Sequence, residues 1–276
     1  MSMNFIQVNQ EKCTRCGLCV KVCRSVLANG SNGPEVIRPL CIACGQCVAV
    51  CPHGALDNVK APLNKQIPIK ESLALNADAA TQFLRSRRSI RDYQQKPVSR
   101  DKIRQILDIA RMAPTACNSQ GVSYHVVDNF DTLRAVSAVI TEWTEGELSR
   151  DSGMAASPWA PNSAAQIEIY RQTGEDIVLR SAPCLIVAIA DKNYAAPVRD
   201  NAYLSLAYAQ LFAGAIGLGT CWAGLFEYCA GTGYKPLLEL LAVPENMQII
   251  SGMMVGYPQY TYQRLVDKNP LHVTWQ

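Results

Sequence analysis

Apolar positions along this chain follow two rhythms. From about residue 79 onward they are periodic. Ala80, Phe83 and Leu84 are spaced to share one face of a helix. Ser99 stands where an N-cap belongs. Behind it Ile103, Ile106, Leu107 and Ala110 form one apolar face, and Pro114 sets the end of the helix. Three short runs lack that period and are rich in β-branched residues: SYHVV (123–127), CLIVAIA (184–190) and IISGMMVGY (249–257). They predict buried strands. Helices and strands therefore share one core of mixed type. Residues 57–78 read differently, with two prolines, mixed charge and weak periodicity, as an extended connection. The chain so divides into residues 1–60, a linker 61–78 and a larger domain 79–276.

One segment invites a membrane reading. Between Asp200 and Glu227 no residue is charged. Asn201, Ser205, Gln210 and Gly214 interrupt it, and Gly217–Leu218–Gly219 is a turn signal. A buried helix over about 200–216 followed by a strand accounts for the pattern, and no membrane partner is expected. At 49% hydrophobic and 18% charged residues, the chain can build a sizeable core. A formal charge of +3 is too mild to imply nucleic acid.

The cysteines change the picture most. Of twelve, eight lie between Cys13 and Cys51. The opening MSMNFIQVNQ has no basic start followed by an apolar run, so a reducing, cytoplasmic setting is expected. There, metal binding is favoured over disulfides. The runs CTRCGLCVKVC and CIACGQCVAVC repeat with a 28-residue offset: Cys13/Cys41, Cys16/Cys44, Cys19/Cys47, Cys23/Cys51 and Gly17/Gly45. Their C-x2-C-x2-C-x3-C spacing is the bacterial two-cluster pattern, in which the fourth cysteine of each run ligates the other cluster. By that rule Cys13, Cys16, Cys19 and Cys51 hold one 4Fe–4S cluster, and Cys41, Cys44, Cys47 and Cys23 the other. Zinc prefers four ligands from two separated pairs, which fits two tandem runs of four poorly. Residues 4–58 resemble bacterial two-cluster ferredoxins. One departure is Arg24 after Cys23, where that family usually has proline; Cys51–Pro52 keeps it.

Three segments of the larger domain carry candidate chemistry. Arg87-Arg88-Ser89-Ile90-Arg91 offers three guanidiniums and a hydroxyl to a phosphate, although arginine runs are more often solvated helix faces. The polar loop 113–120 contains Pro114, Thr115, Asn118 and Gln120; the Asn and Gln amides suit the edge of a flavin ring, although taken alone such a loop is more often a helix-ending turn. Residues 217–224 set small residues beside Trp222, which either admits a flat ring or merely makes a tight turn. The three histidines, His53, His125 and His272, have no metal spacing, and no GxGxxG follows a strand.

Taken together, the three segments, with Gly256-Tyr257-Pro258, Arg264 and Lys268, resemble the nitroreductase family of FMN enzymes from about Phe83 to the C-terminus. The resemblance implies an α+β protein. A small ferredoxin-like two-cluster domain precedes a three-layer α/β/α domain with a mostly antiparallel mixed sheet. It also implies a homodimer with FMN at the subunit interface. Arg87, Arg88, Ser89 and Arg91 would then hold the FMN phosphate and ribityl chain. Pro114, Thr115, Asn118 and Gln120 would approach the flavin from the partner subunit. Ala223, Gly224 and Leu225 would lie near the ring, and Arg264 and Lys268 would close on the phosphate. Some relatives carry a carboxylate where Gly224 aligns. No catalytic acid or base is assigned. The expected activity is electron transfer between 4Fe–4S clusters and FMN, reducing a small organic acceptor of nitroaromatic, quinone or enone type. An external ferredoxin or NAD(P)H would be the donor, and the reverse direction is equally consistent. The rival readings are an NAD(P)H-dependent flavin reductase with accessory clusters and a non-enzymatic electron carrier.

Overall fold

The computed structural model describes residues 5–150, 152–194 and 196–276. Of the opening stretch read for a leader, residues 1–4 lie outside the described part. The chain divides into two compact units, Met1–Leu75 with Cys117–Ser119, and Asn76–Ala116 with Gln120–Gln276.

In the first unit the repeat visible in the cysteines is also a repeat of backbone. Its elements are β1 (Ile6–Val8), α1 (Leu18–Val22), β2 (Leu27–Gly30), β3 (Gly33–Val36), α2 (Gln46–Ala49) and β4 (Leu56–Asn58). β1 pairs antiparallel with β4, and β2 with β3. Each cysteine run winds through a left-handed turn and then a short helix. Arg15 and Ala43 have φ of 57° and 56°, while Gly17 and Gly45 share φ of 73°. Glycine takes that conformation without the steric cost of a Cβ, so Gly17 and Gly45 open α1 and α2 in the same way. The core is small: Phe5, Ile6, Val26, Leu27, Val48 and Leu56 close around Cys47. Beyond it runs an exposed connection with Ile67 and Ile69 in solvent.

The second unit contains α3 (Ala77–Ser86), α4 (Arg100–Ala110), β5 (Ser123–Val127), α5 (Phe130–Leu148), α6 (Ala160–Thr173), β6 (Cys184–Asp191), α7 (Val198–Ala215), β7 (Gly219–Trp222), α8 (Gly224–Gly231), α9 (Lys235–Leu240) and β8 (Met247–Gly256). One sheet, ordered β5-β6-β8-β7, pairs antiparallel throughout. A parallel bridge from Ser89 to Thr220 adds to its β7 edge, so the sheet is mixed and mostly antiparallel. Alternation along the central strands builds three layers. Leu185, Val187 and Met254 join a core with α5, α8 and α9, whereas Cys184, Ile186, Met253 and Val255 join one with α4 and α7. Ser99 caps α4 as expected, its Oγ accepting from Lys102 N at 3.4 Å. Gly252 is required for packing, because a Cβ there would come within 2.6 Å of the Phe226 ring.

Two expectations need correcting. α3 buries none of its residues. Ala80 and Phe83 are half-covered and Leu84 is exposed, so its apolar residues do not join either core of the sheet. β5 is an edge strand that pairs with β6 alone, and only Val127 of it is buried. α7 spans the uncharged stretch and holds buried Asn201, Ser205 and Gln210. Among the described residues no helix is long and apolar enough to cross a membrane.

Candidate functional site

In the first unit the two left-handed turns present the thiols. Cys13, Cys16, Cys19 and Cys51 line one cavity, with Gly30 and Gly33 on its wall. On the other side Cys23 feels the charges of Cys47, Cys44 and Cys41. The chain therefore brings the fourth cysteine of each run to the first three of the other. Burial pushes the thiols of Cys19, Cys23 and Cys47 above the ordinary range, and neighbouring cysteines of the same group add to it. Four thiolates so crowded need positive charge among them. Backbone donors are ready for the sulfurs: Ala55 N donates to Cys51 Sγ at 3.2 Å, and the Leu18 backbone lowers the Cys16 thiol. Among the described residues, no three His, Cys, Asp or Glu side chains converge on one metal ion. A 4Fe–4S cube asks something else, that each thiolate reach its own iron. The donor set fits two cubes.

In the second unit Arg87, Arg88, Ser89, Arg91 and Lys268 line one cavity of about 550 Å³, with Asp267 the acid beside them. The segment is fixed by the sheet, Ile90 N donating to Thr220 O at 2.9 Å and Tyr93 Oη to Ile90 O at 2.7 Å. Arg88 lies over the Tyr262 ring, 5.0 Å from its centre, and donates to the Arg264 carbonyl. The Arg264 contact is thus through its backbone, and its side chain does not line the cavity. Arg87 and Arg88 also face a neighbouring cavity of about 350 Å³ with Gln210 and Thr220. The buried Gln210 Nε2 has no partner among the described residues. Guanidiniums and an unsatisfied amide donor fit an anionic, oxygen-rich ligand such as a flavin phosphate and its polyol chain.

The polar loop is bent by three left-handed residues, Cys117, Asn118 and Gln120. Thr115 Oγ1 accepts from Gln120 N at 3.1 Å, which ties the loop to itself, while Pro114 and Gln120 are exposed. Asn118 belongs with the first unit, donating through Nδ2 to Ile42 O and Ala43 O at 2.9 and 3.0 Å. Its amide is committed there. Around Trp222 the expected open face exists at Gly224, where a Cβ would meet nothing within 4 Å. Ala223 is buried with its N–H bonded to Gly252 O at 2.9 Å, and Leu225 is half-buried. Gly219 approaches Ile90 and Pro258 closely instead.

Sequence reasoning missed two features here. Gly224, Leu225 and Tyr228 share a cavity of about 490 Å³ with Met154, Trp159 and Gln166. One helical turn beyond Gly224, Glu227 accepts hydrogen bonds from Tyr203 Oη and from buried Ser251 Oγ, the latter at 2.7 Å. Tyr203 in turn packs 5.3 Å from Trp222. So this chain does carry a carboxylate near Gly224, though not at the aligned position. A lone Glu in α8 gave no signal, because its partners come from α7 and β8.

Known proteins agree with this division. Residues 84–257 match the Nitroreductase family, and residues 12–56 match a 4Fe-4S dicluster domain. The chain belongs to the nitroreductase family and carries an N-terminal dicluster ferredoxin domain. This makes it a flavin-dependent oxidoreductase with FMN and two 4Fe–4S clusters as cofactors. A protein of Archaeoglobus fulgidus, provisionally named an NADH dehydrogenase/NAD(P)H nitroreductase, is 28% identical over 174 residues, 63% of this chain and 82% of its own length. A 4-nitrobenzoate reductase of Pseudomonas putida is 38% identical over 68 residues, 25% of this chain and 30% of that enzyme. A crystal structure of a nitroreductase with bound FMN from Bacteroides fragilis aligns at a TM-score of 0.56 and 18% identity, covering 72% of this chain and 100% of the other. At that identity the likeness speaks for the fold alone.

Proposed function

We propose that this protein moves electrons between its two 4Fe–4S clusters and FMN, and reduces a small organic acceptor of nitroaromatic, quinone or enone type. One observation carries the reading. A single chain joins two four-thiol groups, Cys13/Cys16/Cys19/Cys51 and Cys41/Cys44/Cys47/Cys23, to a domain with an arginine-lined phosphate cavity. Clusters handle one electron and a flavin one or two, so joining them allows single electrons to be collected and delivered in pairs. Linkage also raises the effective concentration of donor near acceptor.

The chain's own groups then have assigned work. Arg87, Arg88, Ser89, Arg91 and Lys268 neutralise and orient the phosphate, and Gln210 adds a donor. The open face at Gly224 leaves room for the ring, and the Met154–Trp159–Tyr228 cavity beside it suits a flat, apolar acceptor. Pro114, Thr115 and Gln120 complete the flavin pocket of a partner subunit in a cytoplasmic homodimer. A second reading, direct reduction by NAD(P)H with the clusters as outlet, draws on the name of the Archaeoglobus relative.

An anaerobic visible titration separates them. Bleaching of the flavin band by reduced ferredoxin but not by NADH or NADPH supports entry through the clusters. Rapid bleaching by nicotinamide alone overturns that in favour of the second reading. A purified protein without both flavin and cluster absorption overturns both.

A further inference from the structure

The two cluster sites are repeats of one another, so differences between them stand out against an internal control. Their backbone donors differ at one position: Ala55 N donates to Cys51 Sγ at 3.2 Å, whereas Leu27 N, twenty-eight residues earlier, donates to the Cys23 carbonyl at 2.8 Å. One side-chain donor is not matched. Asn58, at the end of β4, is 1% exposed and donates through Nδ2 to Cys41 Sγ at 3.7 Å. The same amide works against the burial that raises the Cys47 thiol. Its orientation is fixed from the other end, where Lys60 N donates to Asn58 Oδ1 at 2.9 Å, so the NH2 group must face the sulfurs. Twenty-eight residues earlier, the equivalent position is Gly30, which has no side chain to donate. In the first half Thr14 bonds Cys16, but from the exposed rim, where water competes for the same sulfur.

We infer that Asn58 raises the reduction potential of the cluster of Cys41, Cys44, Cys47 and Cys23. The inference rests on reading that set as the ligands. Adding an electron to a cluster increases the negative charge on its sulfurs. A buried N–H dipole aimed at one of them stabilises the reduced form more than the oxidised one, and does so with little solvent screening. No proton moves and no bond is made; the cluster gains one electron from the reductant.

EPR-monitored potentiometric titration of the anaerobic full-length protein, with dithionite as reductant, tests this. In Asn58→Asp, which keeps the shape and the contact with Lys60 N but removes the donor, one of the two cluster midpoints should fall. The change expected is at least about tenfold in the reduction equilibrium, or about 59 mV for one electron. The other midpoint should stay in place. Asn58→Ala should shift the same midpoint in the same direction, and Asn58→Gln should recover part of it. Unchanged midpoints in the variants, a rise of either one, an equal shift of both, or selective loss of one cluster in every variant each overturn the inference. The last outcome would make Asn58 a structural residue. A parent spectrum lacking two 4Fe–4S signals would instead fault the ligand reading itself.

Discussion

The two units of this chain solve the same problem with different means. The second folds on burial: its sheet packs on both faces, and Phe226, Leu206, Ile186 and Met253 are fully enclosed. The first has short strands, two helices of barely one turn each and a core that Cys47 itself helps to close. So small a core stabilises little, and domains of this size ordinarily rely on metals or disulfides. Iron ligation and folding should therefore be one event in the first unit, whereas in the second the cofactor is a guest of a fold that stands without it.

The largest effect tests that contrast directly. Cys47→Ser, or removal of iron by a chelator under oxidation, should abolish cluster absorption and unfold the first unit. Limited proteolysis should then cut freely within residues 5–75 and leave the second unit intact. A first unit that stays resistant after iron loss would break the comparison. The converse comes next. Phe226→Ala should lower the stability of the second unit by about 3–5 kcal/mol, seen as an earlier denaturant midpoint, while cluster absorption is unchanged. Gly252→Ala, which forces a methyl against the Phe226 ring, should cost about 1–3 kcal/mol in the same assay. Smaller still for folding, though decisive for loading, is Arg87→Ala with Arg88→Ala. Flavin affinity should drop about 10–100-fold with the thermal transition of the flavin-free protein little changed, as charge-assisted hydrogen bonds are each worth about 1.5–3 kcal/mol. Equal flavin content in variant and parent would remove the phosphate role from this segment.

How much of this was legible in the sequence follows the same division. The first unit's chemistry is local: spacing within each run and an offset between runs bring the cysteines to the surface of the text, and the structure repeats that offset in φ at Arg15/Ala43 and Gly17/Gly45. In the second unit, periodicity located α4, α7, β6 and β8 to within a few residues, because those elements are buried on a consistent face. It also located α3 and β5 but misjudged their burial, since α3 buries none of its residues and β5 only Val127. Contacts between distant elements left no trace. Tyr203, Glu227 and Ser251 meet from α7, α8 and β8, and nothing in the spacing of a Tyr, a Glu and a Ser announces it. Asn58 was silent for a related reason: its meaning lies in its absence from the other half of the repeat.

The smallest effect sharpens the comparison by using a pair that lines neither the cysteine cavity nor the arginine cavity. Arg100 Nε donates to Asp128 Oδ2 at 2.8 Å, with a second bond from Nη2 to Oδ1 at 3.3 Å, joining the start of α4 to the end of β5. The guanidinium holds the Asp128 carboxyl below the usual carboxylate range. A carboxyl whose pKa is depressed on folding contributes stability that is fully present above its unfolded value, about 3.9, and is lost as pH falls through the lower folded value. The pair is largely solvent-exposed, so the contribution of Asp128 is at most about 1 kcal/mol. Asp128→Asn should therefore lower the second unit's denaturant midpoint slightly at pH 7, less in high salt, and the difference from the parent should close as the pH drops below 4. The first unit's cluster absorption should follow the same curve in both proteins. If the variant instead released iron at a different pH from the parent, the two units would share their stability, and the contrast between a ligated unit and a packed one would have to be redrawn as a single cooperative fold.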